Sequence, residues 1–186
     1  MSMVAETSAV IRPVIPGGTW NIDPVWSALE FEVKKLGLMA VKGRVPGFSG
    51  TITGGDDPSI EGTVDATSIT TFDETRDAHL QSPDFFDTQR FPTLRFVSTS
   101  VRGDGDDLVV EGDLTVRGVT KPVELRGRYV GTGVDPMGND RIGLELTGTI
   151  DRTEFGLNWN APVPGGGLLL PNDVVLSASF AAVRAA

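Results

Sequence analysis

Along most of this chain apolar and polar residues alternate one for one, the period of a strand with one face buried and the other wet. Leu29, Phe31 and Val33 alternate with Glu30, Glu32 and Lys34, and Leu94 and Phe96 flank Arg95. Leu108, Val110, Gly112, Leu114 and Val116 share a face opposite Glu111, Asp113, Thr115 and Arg117. Val123, Leu125, Gly127 and Tyr129 oppose Glu124, Arg126 and Arg128 in the same way. Ile142, Leu144, Leu146, Gly148 and Ile150 oppose Glu145, Thr147 and Thr149, while Val174, Leu176, Ala178 and Phe180 oppose Ser177 and Ser179. With residues 20–22, 41–53 and 60–71 these runs predict eight or nine strands.

The separators are turn chemistry. Residues 54–58, 103–106 and 135–139 are rich in Gly, Asp, Asn and Pro and lie between two strand runs, as hairpin loops do. Strands joined this way pair antiparallel. One segment departs from the pattern. Asp73 can cap a short helix reaching about Gln81, with Glu74 and Asp77 in the first turns where the helix dipole favours acids. Residues 82–87 then form a further turn or a lid, so a helical insert is expected over about 73–88. Residues 1–18 read as a partly ordered arm before a single domain of residues 19–186. Glu6 and Arg12 interrupt the arm's apolar stretch, and Pro13, Pro16, Gly17 and Gly18 break it. Neither a signal peptide nor a spanning helix is expected from it, and a cytoplasmic location is predicted.

One apolar face per strand, without long helices, leaves a β-sandwich or a closed barrel. The small inward residues Gly112, Gly127, Gly148 and Ala178 favour a barrel with an open lumen, although inward glycines also mark bends that let strands coil. An eight-stranded barrel encloses enough space for side chains or one small ligand.

Composition narrows the chemistry. The 186 residues include 16 Lys+Arg, 25 Asp+Glu, one His and no Cys, for a net charge of −9. Thiolate nucleophiles, disulfides and Cys-based metal sites are excluded, and an acidic chain is a poor match for nucleic acid. The lone His79 could act as a general acid or base, or touch a ligand head. Asp77, two residues before it on a helix, cannot orient it, and no Gly-x-Ser-x-Gly elbow supplies a nucleophile. The Asp pairs at 56–57 and 104–107 suit solvated turns better than a calcium loop. Gly165, Gly166 and Gly167 lack the Lys and helix of a phosphate loop and fit a flexible segment at a barrel mouth, its leucines near an apolar ligand. Trp20, Phe31, Phe85, Phe86, Phe96, Trp159 and Phe180 occupy inward positions or the insert, and together suggest a greasy tunnel. Leu29, Val33, Leu114, Leu144, Leu146 and Leu176 are the inward aliphatic positions expected to line it, with His79 beside them.

In order and spacing, several segments resemble the YceI-like family of polyisoprenoid-binding proteins. They are Trp20-Asn21-Ile22-Asp23 leading to Ser27-Ala28-Leu29-Glu30-Phe31; Val41-Lys42-Gly43-Arg44-Val45 with Phe48-Ser49-Gly50; and Arg76-Asp77-Ala78-His79-Leu80 with Ser82-Pro83-Asp84-Phe85-Phe86-Asp87. Phe91-Pro92, Gly112-Asp113-Leu114-Thr115-Val116-Arg117-Gly118-Val119-Thr120-Lys121-Pro122-Val123, and Asp151-Arg152-Thr153-Glu154-Phe155-Gly156-Leu157 complete the set. The resemblance implies an extended lipocalin-like antiparallel barrel with a helical insert, holding a polyprenyl chain or quinone tail in its lumen. It also implies a homodimer, no catalytic activity and no cofactor beyond the bound lipid; many relatives are exported. The chain departs from the family at Asp23-Pro24-Val25-Trp26-Ser27, where relatives usually write Asp-x-x-His-Ser, and at Lys34-Lys35, where a His is common. Trp26 offers bulk and an N–H donor in place of a titratable ring, and joins the expected ligand contacts. The competing reading is an enzyme acting on an apolar substrate in the barrel, with His79 as acid or base.

Overall fold

The period-two runs become strands in the computed structural model, which describes residues 14–186. The strands are β1 (Gly18–Ile22), β2 (Ala28–Lys35), β3 (Met39–Arg44), β4 (Phe48–Gly54), β5 (Ser59–Asp65), β6 (Thr93–Asp104), β7 (Asp107–Val116), β8 (Val119–Val134), β9 (Asp140–Asp151) and β10 (Asp173–Arg184). All pairings are antiparallel in the order β1-β4-β5-β6-β7-β8-β9-β10, and β1 pairs again with β10 to close the ring at eight. The other two strands are continuations. β1 and β2 are one long strand broken at residues 23–27, and β3 and β4 are one broken at 45–47, so β2 lies on β10 and β3 on β2.

Each break is mended by side chains. At the first, the Ala181 amide donates to Ser27 Oγ at 2.9 Å and the Asp23 amide donates to the Ala181 carbonyl at 2.9 Å, which holds the kinked strand against β10. At the second, the Gly47 amide donates to Ser68 Oγ at 3.0 Å. The one α-helix among the described residues, α1 (Glu74–Gln81), begins where Asp73 accepts from the Arg76 amide at 2.8 Å. No helix among the described residues is long and apolar enough to cross a membrane.

One end of the barrel is filled. Ile15, Trp20, Ile52, Leu108, Val110, Ile142, Leu144 and Ala182 are almost wholly buried there. Of the expected arm, residues 1–13 lie outside the described residues. The part that follows packs into this end: the Gly55 amide donates to the Ile15 carbonyl at 3.0 Å and Trp20 Nε1 to the Pro16 carbonyl at 3.0 Å. The same end carries a charged clasp. Arg141 donates to Asp135 at 2.8 Å and to Asp23 at 2.9 Å, with its guanidinium 4.2 Å from the centre of the Trp26 ring.

The inward glycines follow the second of their two expected roles. A Cβ on Gly127 would lie 1.7 Å from the Glu145 carbonyl oxygen, and one on Gly148 would lie 2.6 Å from that of Glu124. At Gly112 it would meet the Phe96 ring at 2.5 Å, so that ring occupies the missing side chain's place. These glycines permit close strand coiling and aromatic cover; they do not hold the lumen open. Gly148→Ala is therefore expected to destabilise the fold by roughly 1–3 kcal/mol through overpacking, measurable by denaturant unfolding.

The clasp makes a second expectation. Asp135 accepts from the Asn139 amide, from Arg141 and from the Asn139 side chain, which hold its carboxyl far below the usual carboxylate value. A carboxyl so depressed contributes stability above the unfolded pKa of about 4, and that contribution fades as pH falls below it. The melting temperature of Asp135→Asn should lie below that of the parent at pH 7, and the gap should narrow progressively toward pH 3.

Candidate functional site

The other end of the barrel is hollow. A cavity of about 600 Å3 lies between the packed end and a second cluster formed by Phe85, Val116, Phe155 and Leu157. That size falls within the ~300–1,000 Å3 of small-molecule and cofactor sites. Its lining is overwhelmingly apolar.

Twelve of the fifteen residues singled out from sequence line this one space: Leu29, Phe31, Val33, His79, Phe85, Phe86, Phe96, Leu114, Leu146, Trp159, Leu176 and Phe180. The strand residues reach it because they occupy the inward phase of β2, β6, β7, β9 and β10. Three lie elsewhere. Trp20 and Leu144 are inward but too far along the barrel, inside the packed end. Trp26 does not enter the lumen; it sits outside, half-exposed, beneath Arg141.

The wall is only partly sheet. Beyond Asp65 the chain leaves the ladder through α1 and returns at Thr93, with the Ala66 amide donating to the Pro92 carbonyl at 2.9 Å across the base of the excursion. This insert is strapped to both neighbours. On one side Arg44 and Thr70 exchange backbone bonds of 2.8 and 2.9 Å. On the other, Arg117 Nη1 donates to the Phe85 carbonyl at 2.9 Å, and the Phe91 ring packs over Gly118. Asp77 accepts from the Thr71 amide at 2.7 Å, the Thr71 hydroxyl at 2.6 Å and the Thr70 hydroxyl at 2.9 Å. Burial alone would raise its pKa, but the Thr71 and Thr70 hydrogen bonds hold it below the usual value. Asp77 thus fixes the corner of the insert and not the histidine.

His79 instead meets Asp84, with Nε2 and Oδ2 2.9 Å apart. Its ring stands edge-on to Phe85 and Trp159, at centroid distances of 5.0 and 4.7 Å. These three rings make an aromatic corner of the cavity, favourable because ring edges are electropositive and ring faces electronegative.

The remaining wall is the connection from β9 to β10. Its anchor is Arg152, buried, which donates to the carbonyls of Pro171 at 2.9 Å, Trp159 at 2.9 Å and Leu157. Burial lowers the Arg152 pKa against the opposing field of Asp151. Asn160 adds a two-way bond to Leu170, donating to its carbonyl at 2.8 Å and accepting from its amide at 2.9 Å. Of the leucines expected near a ligand, Leu169 and Leu170 line the cavity while Leu168 points out. Residue type alone does not single out Arg152, Phe155 and Leu157, although all three stand in the segment 151–157 that carries the family resemblance. Periodicity could not mark them, since they lie beyond the strand.

An eight-stranded antiparallel barrel, blocked at one end and opening at the other on a deep apolar cavity, defines a hydrophobic ligand-binding protein of the lipocalin-like class. The YceI-like domain matches residues 20–182, and the chain belongs to that family. It is 41% identical over 133 residues to Protein YceI of Escherichia coli O17:K52:H18, spanning 69% of this chain and 70% of that protein. Among solved structures it is similar to the Campylobacter jejuni YCEI protein, with 25% identity and a TM-score of 0.70 over 82% of this chain and 90% of that one. A polyisoprenoid binding domain from Saccharophagus degradans shares the fold at 16% identity, with a TM-score of 0.66 over 89% of this chain and 98% of the other.

Removing the Arg152 guanidinium leaves three carbonyls short of a donor. Arg152→Met should lower stability by on the order of 3 kcal/mol, read from chemical denaturation. Arg152→Lys should recover only part of this, because one ammonium cannot span the three acceptors.

Proposed function

We propose that this barrel binds and carries a long-chain isoprenoid lipid, a polyprenyl chain or an isoprenoid quinone tail, without transforming it. The observation that supports this most is the cavity: deep, apolar, and walled by aromatic and branched side chains. Family membership and the polyisoprenoid-binding description of a protein with the same fold point the same way. Energetics favour a chain over a small polar solute. Burying ~400 Å2 of apolar ligand surface contributes ~10 kcal/mol at about 25 cal/mol per Å2. Association costs of roughly 4–15 kcal/mol offset much of that, so a short ligand is held weakly. The homodimer and the absence of catalysis implied by the family resemblance belong to this same reading.

The His79–Asp84 contact favours a second reading, an enzyme using His79 as acid or base on an apolar substrate. Since Nε2 is engaged by Asp84, Nδ1 is the nitrogen left for proton transfer. His79→Gln keeps a hydrogen-bonding side chain without a titratable ring. Lost turnover of a lipid substrate in this variant would favour the enzyme; unchanged lipid capture with no product formed by either protein favours the carrier.

Native mass spectrometry with solvent extraction tests the carrier reading directly. Co-purifying lipid, or uptake of added polyprenol or menaquinone, is the expected result; neither in gently purified protein would overturn it. Val33→Trp, which fills the lumen from β2, should reduce uptake tenfold or more. Phe86→Ala, which enlarges the cavity, should shift preference toward bulkier chains.

A further inference from the structure

The rim of the cavity carries apolar side chains that the fold leaves in solvent. Leu36, Leu38 and Met39 are exposed at the tip of the β2–β3 hairpin, Leu38 by 82%. Also on the rim stand Phe72, 77% exposed, and Leu168, 61% exposed. Their chain neighbours Lys35, Thr71 and Leu169 line the cavity itself. The segments are joined: the Leu36 amide donates to the Leu169 carbonyl at 3.0 Å, and β3 holds Thr70 through Arg44. The exposed groups are thus the outer lip of one apolar lumen.

Two of them occupy backbone positions that suit other residues. Leu36 and Gly37 have φ of 54° and 67°, and the Leu38 amide donates to the Lys35 carbonyl at 3.0 Å. A tight hairpin turn with two left-handed residues prefers Asn-Gly, and here leucine takes the place of the polar residue. Phe72 repeats the pattern, with φ 62° and its ring in water. Bulky apolar residues are outliers in this region. Phe72 keeps most of its surface in solvent and Leu36 nearly half.

Charge follows the same geography. The chain has four lysines, and Lys34, Lys35 and Lys42 all lie on this hairpin, whose acids are Glu30 and Glu32, the latter 4.0 Å from Lys42. Residues 160–172, in the segment that meets the hairpin tip, carry no charge at all. The acidic side of the rim is the start of α1, where Asp73 and Glu74 follow Phe72.

We propose that this lip docks on the surface of an anionic phospholipid bilayer, with Leu36, Leu38, Met39 and Phe72 entering the interface and the hairpin lysines over the headgroups. Shallow apolar insertion flanked by basic residues is how peripheral proteins hold such surfaces. The inference rests on the carrier reading: an isoprenoid chain resides in membranes, and docking there sets the lumen's mouth against the source of the ligand.

Flotation of the full chain with vesicles tests it, using phosphatidylcholine alone and phosphatidylcholine mixed with phosphatidylglycerol. Binding to the mixed vesicles is expected, weakening at high salt. The variant Leu36→Asn/Leu38→Ser/Met39→Ser should lose binding at least tenfold; Asn suits the turn at position 36, and an undiminished melting temperature would show that the barrel is intact. Lys34→Gln/Lys42→Gln should lose about 25-fold, at roughly fivefold per lysine near the surface. Protein that stays lipid-free with mixed vesicles at low salt overturns the proposal, as does a triple variant that floats like the parent. Farnesol binding in vesicle-free solution, followed by tryptophan fluorescence, separates the two readings. Farnesol uptake without flotation leaves the carrier and removes the docking. Flotation without uptake of farnesol or longer polyprenols leaves the docking and removes the carrier.

Discussion

A barrel is free of sheet edges only where every strand is paired on both sides, and here the ring stops short at the mouth. β3 pairs with β2, but on its other flank it has only the Arg44–Thr70 bridge before the chain turns away at Phe72. The sheet resumes at Thr93. Residues 66–92 must therefore serve as wall, and they cannot be held there by a ladder. The attachment comes from the Arg44–Thr70 backbone pair and from Arg117 on the Phe85 carbonyl, while Asp77 and Arg76 brace the insert internally through Thr70 and Thr71. This substitution of an insert for a strand brings Leu80, Phe85, Phe86 and His79 to the lumen. A continuous sheet would have placed alternate residues there and turned the others to water.

Strand phase was legible in the sequence and depth was not. A strict period of two assigns each side chain to a face of the sheet. It says nothing about how far along the barrel that side chain lies. Hence of Leu144 and Leu146, adjacent inward positions on β9 in the packed cluster, only Leu146 also borders the cavity. Trp20 fails for the same reason, since its ring is taken by the Pro16 carbonyl and the Arg184 guanidinium. Trp26 fails for another: it lies in the kink between β1 and β2, where period-two reasoning no longer holds. The kinks themselves are hard to foresee because the bonds that sustain them come from Ser27 and Ser68, which are remote from their partners in sequence. The helix was the easier inference, because its cap and first-turn acids are local.

The glycines show how one composition can support opposite structural accounts. Inward glycines leave space in a lumen if nothing else takes it. In this chain the space is taken by a carbonyl at Gly127 and Gly148 and by an aromatic ring at Gly112 and Gly43. The Phe31 and Phe96 rings thus lie over glycines and line the cavity at once. Glycine sets where those rings lie, and the rings set the shape of the lumen.

A hollow this large requires support. At ~24 cal/mol per Å3, a dry void of the size seen would cost on the order of 14 kcal/mol, as much as a whole domain's stability of ~5–15 kcal/mol. Water can enter through the mouth, which lowers that figure, but the lining offers it few partners. Its walls are set by the strand ladders around the ring, by the Arg44–Thr70 pair and Arg117 on the insert, and by the three carbonyls on Arg152. An apolar occupant relieves the cost of poorly bonded water and keeps every one of those bonds. Binding and folding are coupled through this lumen: a ligand that binds the folded barrel and not the unfolded chain adds RT ln(1 + [L]/Kd) to its stability.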